Sequence, residues 1–293
     1  MTRIGVLAAG ALTTIQDLGR PGWGHIGVPR SGAADRGSLV LANRLVGNED
    51  GAAALETTLS GPRLRFDDAA EVALAGAPVA ARVGDRVAPM NQAFHVHAGD
   101  ELRVGTARVG LRTYVAFAGG IDAPRTLGSA ATDVLTGLGP APLSRGVVLQ
   151  TRAAHTRGAW GGRTIPPPAP CPPPPSFELP DSVRLRVIVG PRSDWFSGES
   201  IKRLLSDAFT VSQASNRIGA RLDGPRMERA RGGELLSEGL VPGALQVPTD
   251  GRPILLLADH PTTGGYPVIA VVASHDLSLA AQLRPGQRLR FFA

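Results

Sequence analysis

The sequence predicts a mainly β protein with a few short helices. Gly and Pro number 37 and 25 among 293 residues, a density of chain punctuation that breaks long helices and favours many short strands joined by turns. The apolar segments between these breaks are short, and stretches such as His95-Val96-His97 and Leu102-Arg103-Val104 alternate as a half-buried strand does. Hydrophobic residues make up 43% and charged residues 19%, enough to pack a core and to exclude disorder over most of the chain.

At ~150 residues per domain the length suggests two domains. Two short echoes point the same way: LSGPRL (59–64) resembles LDGPRM (222–227), and AGDELRVG (98–105) resembles RPGQRLRFF near the end. They suggest two lobes built alike, although chance recurrence of Gly-Pro turns explains them as readily. The expected organisation is an N-terminal lobe with a Gly-rich loop over 1–163, a Pro-rich linker over 164–180 and a C-terminal lobe over 181–293.

Along the chain, Ile4 to Leu7 reads as a strand, followed by a 25-residue polar, glycine-rich loop from Thr13 to Gly37. Loops of that length in compact domains are usually functional or disordered. Its repeated tight turns argue that it is ordered. Ser31 or Asp35 can cap a helix running to about Val46, with Leu39, Ala42 and Val46 on one face and Gly47-Asn48 as its stop. From Leu59 to Leu149 short strands recur: RLRF, EVALAG, ARVGDRV, HVHAGDELRVG and RTYVAFAGG. Pro166 to Pro175 holds eight prolines in ten residues, a composition that favours an extended, semi-rigid spacer. The second half opens with the strand VRLRVIVG. Ile201, Leu204, Leu205 and Ala208 then recur at helical spacing, and further strands run through PILLLADH and PVIAVVA to RLRFF.

Composition also excludes functions. The only lysine is Lys202, leaving 30 arginines among the 31 basic residues. Lys202 follows SGESI rather than the glycine spacing of a P-loop, and it sits in a plain amphipathic helix pattern. The chain is therefore not expected to be a Walker-type ATPase, a pyridoxal phosphate enzyme or a biotin carrier. A net charge of +6 invites a nucleic-acid reading. The arginines are nevertheless scattered singly and aromatics are only 4%, so no nucleic-acid partner is expected. The lone Cys171 excludes a disulfide framework or thiolate metal site and fits a reducing cytoplasm. MTRIGVLAAGAL reads as a first strand rather than a secretory leader, and no uncharged apolar run reaches ~18 residues, so no membrane span is expected. His95 and His97 share a strand face but lack a third ligand, so no metal site is expected.

Five segments could carry chemistry. Ser31-Gly32-Ala33 precedes the helix capped near Asp35, where backbone N–H groups attract a carboxylate or phosphate; the alternative is that Ser31 and Asp35 merely cap. Glu56 in ETTLSGP is either a base or a surface acid. In SQASNRIGARLDGP, Asn216 and Arg217 could hold a carboxylate, Arg in bidentate fashion; the alternative is a solvated turn. Ser237, Glu238 and Gln246 offer a hydroxyl, a base and an amide in a Gly/Pro frame. Thr262, Thr263, Gly264 and Gly265 follow the apolar strand ILLL and present hydroxyls and bare N–H groups suited to an oxyanion, or simply form a tight hairpin.

Several long strings fall in order over nearly the whole chain: TTIQDLGRPG, GVPRSGAADRGSLVLANRLVGN, AALETTLSGPRLRF, YVAFAGGIDAPRTLGS, SNRIGARLDGP, LLSEGLVPGALQVPTDGRPILLLADHPTTGGYPVIAVVASHDL and AQLRPGQRLRF. Together they resemble the carboxyltransferase subdomain A and B family, also called allophanate hydrolase subunit 2, whose bacterial members include the C-type component of 5-oxoprolinase and the antagonist of the KipI kinase inhibitor. The resemblance implies two cyclophilin-like β-barrel lobes. It implies two partners: a subunit 1 or KipI-like protein, which is the B-type component of 5-oxoprolinase, and the A-type component of the same enzyme. The complex is implied to open 5-oxo-L-proline to L-glutamate with hydrolysis of ATP, which acts with magnesium at the level of the complex. In urea carboxylase a similar region accepts a carboxyl group from carboxybiotin, with biotin carried elsewhere. The alternatives are thus a urea-type carboxyltransferase and a non-catalytic KipI antagonist. His260-Pro261 and Ser274 to Leu277 depart from the family pattern.

On the 5-oxoprolinase reading, anion contacts are expected from Ser31, Gly32, Asn216, Arg217 and Thr262 to Gly265. Glu56 and Glu238 are expected as bases or water-positioning groups, with Gln246 orienting a small carboxylic acid substrate.

Overall fold

The computed structural model of the chain describes residues 1–153, 182–233 and 235–293. The expected linker at 164–180, with Cys171, lies outside them, as does Glu234. The described residues are mainly β with three short α-helices, and they fall into two compact units.

The first unit comprises Met1–Gly19, Asp35–Thr132 and the described residues from Gly137 onward. Its elements are β1 (Arg3–Ala8), β2 (Leu12–Gln16), α1 (Arg36–Leu45), β3 (Ala54–Thr58), β4 (Arg63–Phe66), β5 (Ala70–Gly76), β6 (Ala81–Val83), β7 (Arg86–Ala88), β8 (Ala93–Val96), β9 (Glu101–Val104), β10 (Arg112–Phe117) and β11 (Val148–Gln150). One sheet has the order β11-β1-β4-β9-β6-β7 and the other β2-β3-β10-β5-β8. Ile4, Val6, Leu64, Phe66 and Leu102 of the first sheet share one buried core with Ile15, Leu55, Leu74, Val115 and Phe117 of the second, and the Phe66 and Phe117 rings meet at 6.1 Å.

The outer face of the second sheet carries α1, which packs on β5 and β10 through Leu39, Ala42 and Asn43. Asp35 is the cap: its carboxylate accepts from Ser38 N at 3.1 Å and Ser38 Oγ at 2.6 Å. The expected loop from Thr13 begins instead as strand β2. Thr13, Thr14 and Ile15 are β-branched, and all five residues of β2 pair antiparallel with β3.

The second unit comprises Arg20–Ala34, Asp133–Thr136 and the described residues from 182 onward. Two segments of the expected N-terminal lobe therefore group with it, held by hydrogen bonds described below. Its elements are β12 (Ser182–Val189), α2 (Gly198–Ser206), β13 (Ala208–Val211), β14 (Gly219–Asp223), β15 (Glu238–Gly239), β16 (Ala244–Gln246), β17 (Ile254–Leu256), β18 (Thr263–Gly264), β19 (Val268–Val272), α3 (Leu277–Ala280) and β20 (Arg288–Phe292). Seven strands close a barrel in the order β12-β19-β16-β17-β14-β13-β20, which leaves no open edge. Val183, Leu185, Phe209, Leu245, Leu255, Ile269, Leu289 and Phe291 fill it. Ala208, expected in the helix, opens β13 because the chain becomes extended at Asp207 (φ −91°, ψ 162°).

No helix of the described residues is long and apolar enough to cross a membrane.

Candidate functional site

The candidate residues gather into three clusters. The first lies in the two-sheet unit. β2, β3 and β10 pair so that Thr14, Glu56 and Tyr114 stand in one row across the sheet. Side chains alternate across a strand, so this row faces away from the core residues Ile15, Leu55 and Val115. The Tyr114 hydroxyl donates to Glu56 Oε2 at 2.7 Å and accepts from the Asp35 backbone N–H at 2.8 Å. Arg112 Nε lies 3.3 Å from Glu56 Oε1. All four residues are buried. Burial, reinforced by the charge of Glu56, holds the Tyr114 phenol well above its ordinary value, so it remains a donor at neutral pH. Two residues along β2 on the same face, Gln16 Nε2 donates to Thr14 Oγ1 at 3.0 Å and to the Thr132 carbonyl at 2.8 Å. Glu56 and Asp35 are thus brought to the two sides of one tyrosine hydroxyl.

The second cluster lies in the barrel unit. Asp259, at the end of the apolar run after β17, is 0% exposed. Its carboxylate accepts from Arg217 Nε at 2.8 Å, Arg217 Nη2 at 3.0 Å, Ser31 Oγ at 2.6 Å and Val134 N at 3.1 Å. Arg217 Nη2 also donates to the Gly32 carbonyl at 2.7 Å. Ser31 adopts a left-handed backbone (φ 51°), which a non-glycine residue rarely holds without support from its surroundings. Here the support is the hydrogen bond to Asp259. Ser31, Gly32 and Arg217 therefore meet, and Asp259 is the residue that joins them.

His260 follows. It is 5% exposed, and its Nδ1 lies 2.7 Å from the Pro261 carbonyl, which places the ring hydrogen on Nδ1 when the imidazole is neutral. Burial lowers its pKa against the opposing influence of the Pro261 hydrogen bond, Asp259 and Asp133. Asn216 is exposed and closes its own turn, its Oδ1 accepting from Ile218 N at 2.8 Å and Gly219 N at 3.3 Å.

The third cluster, also in the barrel unit, is the ribbon of β15 and β18. Glu238 pairs with Gly264 and Gly239 with Thr263, and Leu240 N donates to the Thr262 carbonyl at 2.9 Å. The Glu238 carboxylate takes two hydrogen bonds from Arg192, the Nε contact at 3.0 Å and a shorter one from Nη2. That guanidinium holds the Glu238 carboxyl below the usual carboxylate range. Gln246 Nε2 donates to the Tyr266 carbonyl at 3.2 Å. A Cβ on Gly264 would stand 2.8 Å from Gln246 Nε2, so glycine is what lets the ribbon lie against Gln246. Glu238, Gln246, Thr262, Thr263, Gly264 and Gly265 thus come together, with Ser237 exposed beside them. The Glu238 and Arg192 side chains are 32% and 37% exposed, which makes this the cluster with a solvent-accessible acid.

Sequence reasoning missed Tyr114, Arg112, Asp259 and Arg192. A signal existed for three of them: Arg112, Tyr114 and Asp259 lie in or beside otherwise apolar strands, where a polar side chain needs a buried partner. Arg192 carries no such signal. The His95 and His97 rings meet edge to face at 4.7 Å, and His95 Nδ1 reaches Glu71 Oε1 at 2.8 Å. Among the described residues no group of three His, Cys, Asp or Glu side chains could hold a metal ion.

The family profile described as carboxyltransferase domain, subdomain A and B, matches residues 26–293. The C-type component of 5-oxoprolinase from Escherichia coli (strain K12) is 34% identical over 299 residues, covering 98% of this chain and 89% of that protein. The crystal structure of the K. lactis urea amidolyase superposes with a TM-score of 0.90 at 35% identity, over 99% of this chain but only 18% of that one. A crystal structure of TTHA0988 superposes at 0.86 and 38% identity, over 100% of this chain and 56% of that one.

Proposed function

The chain belongs to the carboxyltransferase domain, subdomain A and B, family, and we propose that it acts as the C-type component of an ATP-dependent 5-oxoprolinase, a hydrolase that opens 5-oxo-L-proline to L-glutamate. The observation that carries this reading is coverage. The chain is similar to 89% of a protein that is itself one component of a 5-oxoprolinase, whereas it spans 18% of the K. lactis urea amidolyase chain. A match that runs over most of one such component fits a role as that component, working with the B-type and A-type partners.

The chemistry asked of this chain is modest. A lactam carbonyl is a poor electrophile, and its activation requires ATP. The residues here do not suit a magnesium–triphosphate. The buried Arg217 and Arg112 are already matched by Asp259 and Glu56, the one lysine, Lys202, lies on α2, and no described cluster offers three metal ligands. ATP and its magnesium are therefore assigned to a partner protein of the complex.

What remains for this chain is to hold the acid and direct water. Glu238 is the accessible carboxylate and, held in place by Arg192, orients the attacking water. The Thr262 and Thr263 hydroxyls and the Gly265 N–H, beyond the β15–β18 pairing, receive the developing oxyanion, and Gln246 orients the ring. Glu56 is buried against Tyr114 and Arg112, which suits a positioning role rather than contact with substrate. Ser31, Gly32, Asn216 and Arg217 form or flank the Asp259 network and support the loops nearby.

The test is co-expression with the neighbouring-gene products, followed by assay of glutamate release and ATP hydrolysis with 5-oxoproline or urea. Glutamate release that depends on this chain supports the reading. Urea carboxylation dependent on a biotin carrier would replace it with the carboxyltransferase alternative, the one that the likeness to the urea amidolyase carries. Partner binding without turnover of either substrate would replace it with a regulatory role.

A further inference from the structure

Thirty arginines scattered singly along the sequence look like ordinary solvated surface. The barrel gathers four of them. β12 and β20 pair in parallel, with Ser182 opposite Arg288, Arg184 opposite Arg290 and Arg186 opposite Phe292. Val183, Leu185, Val187, Leu289 and Phe291 point into the barrel core. Alternation then turns Arg184, Arg186, Arg288, Arg290 and Phe292 outward, and the four arginines are exposed.

The guanidinium carbons of Arg184 and Arg186 lie 4.7 Å and 5.3 Å from the Phe292 ring centroid, so the aromatic ring organises two of the cations. Among the described residues, Arg184, Arg186 and Arg288 have no carboxylate ion-pair partner, and Arg290 bonds only to the neutral Ser206 carbonyl. The acids on the flanks are engaged otherwise: Asp276 takes the backbone N–H of Arg186 at 2.6 Å, Asp207 takes the Ser206 hydroxyl at 2.8 Å, and Asp223 pairs with Arg252 at 3.0 Å.

Like charges set opposite one another destabilise a sheet. Four exposed arginines with no ion-pair partner among the described residues, on two adjacent strands, therefore need a reason outside the fold. We propose that this face docks an acidic polypeptide segment of a protein partner. Alternate outward positions along a strand repeat at roughly 7 Å, the same repeat as alternate side chains of an extended Asp/Glu-rich segment. The rigid guanidinium fork matches a carboxylate in two hydrogen bonds. A single-stranded nucleic acid fits less well, because stacking needs an open aromatic face and Phe292 is already occupied by guanidinium groups. The inference is independent of the reaction proposed above, since it concerns binding by the full chain alone.

The test is fluorescence anisotropy of a labelled twelve-residue polyglutamate peptide and, separately, of a twelve-nucleotide oligo-dT, with the full chain at low salt. The triple variant Arg184→Ser, Arg186→Ser, Arg288→Ser is compared with a control of equal charge, Arg65→Ser, Arg145→Ser, Arg226→Ser, taken from exposed arginines elsewhere. The docking triple is expected to weaken peptide binding by ~10-fold or more and the control by under ~2-fold, because local geometry rather than net charge is lost. The single charge reversal Arg288→Glu, remote from Phe292, is expected to weaken it as well and covers the event that the triple does not fold. Absence of peptide binding, equal loss in both triples, or an oligonucleotide that binds more tightly than the peptide and loses as much in the docking triple would each overturn the proposal.

Discussion

Arg217 and Asp259 form a two-point ion pair, Nε to Oδ2 at 2.8 Å and Nη2 to Oδ1 at 3.0 Å, with side chains 1% and 0% exposed. The pair anchors two segments that are distant from it in sequence. Asp259 also receives Ser31 Oγ and Val134 N, and Arg217 donates to the Gly32 carbonyl. The two stretches of the first half that group with the barrel are held to it at this point.

Removing one partner of a buried ion pair strands the other charge. Asp259→Asn is expected to destabilise the chain by about 3–5 kcal/mol, read as a shift in the urea midpoint. The double replacement Arg217→Met with Asp259→Leu should recover much of that loss. A loss below ~1 kcal/mol in the single variant would show that the pair does not hold the segments.

Tyr114 stands between the Glu56 carboxylate and the Asp35 N–H, donating to one and accepting from the other. Tyr114→Phe keeps the ring and leaves two buried polar groups short of a partner. It is expected to cost about 1–3 kcal/mol, measured by chemical denaturation. A change within ~0.5 kcal/mol would mean that Glu56 and Asp35 find other partners.

Glu238 belongs to a pair that solvent reaches, so its replacement tests chemistry rather than folding. In the assembled complex Glu238→Gln is expected to lower turnover ~10²-fold or more with the size of the complex unchanged on size-exclusion chromatography. Near-normal turnover would remove Glu238 from the reaction.

Burial lowers the His260 pKa in the folded chain from an ordinary value of about 6.5. The unfolded chain therefore takes up the proton first as pH falls. Stability from this residue is intact above about pH 6.5 and declines as pH drops from there towards the lowered folded value. Free energies of unfolding measured from pH 8 to 5 should fall for the unaltered chain and fall less steeply for His260→Asn. Identical slopes would assign the acid sensitivity to other groups.

Much of the strand pattern was legible because alternation and Gly/Pro punctuation are local properties. RLRF, EVALAG and VRLRVIVG appear as β4, β5 and β12, and Asp35 caps the helix expected behind it. β2 was not legible, because Thr and Gln look polar until β3 supplies its partner. The candidate residues from Glu238 to Gly265 were recognisable by type. Their convergence depends on β15 pairing with β18, which no local spacing encodes.

The amino-acid order by itself determined the class of the fold and which segments carry polar groups between apolar strands. These follow from composition and from periodicities of two to four residues. Only the tertiary structure decided that Ser31 meets Asp259 across 228 positions and Glu56 meets Tyr114 across 58, and that two RLR strands stack four arginines on one face. The reason is physical: strand register and barrel closure are set by burial of the whole core at once, and a buried charge takes whichever partner that packing delivers.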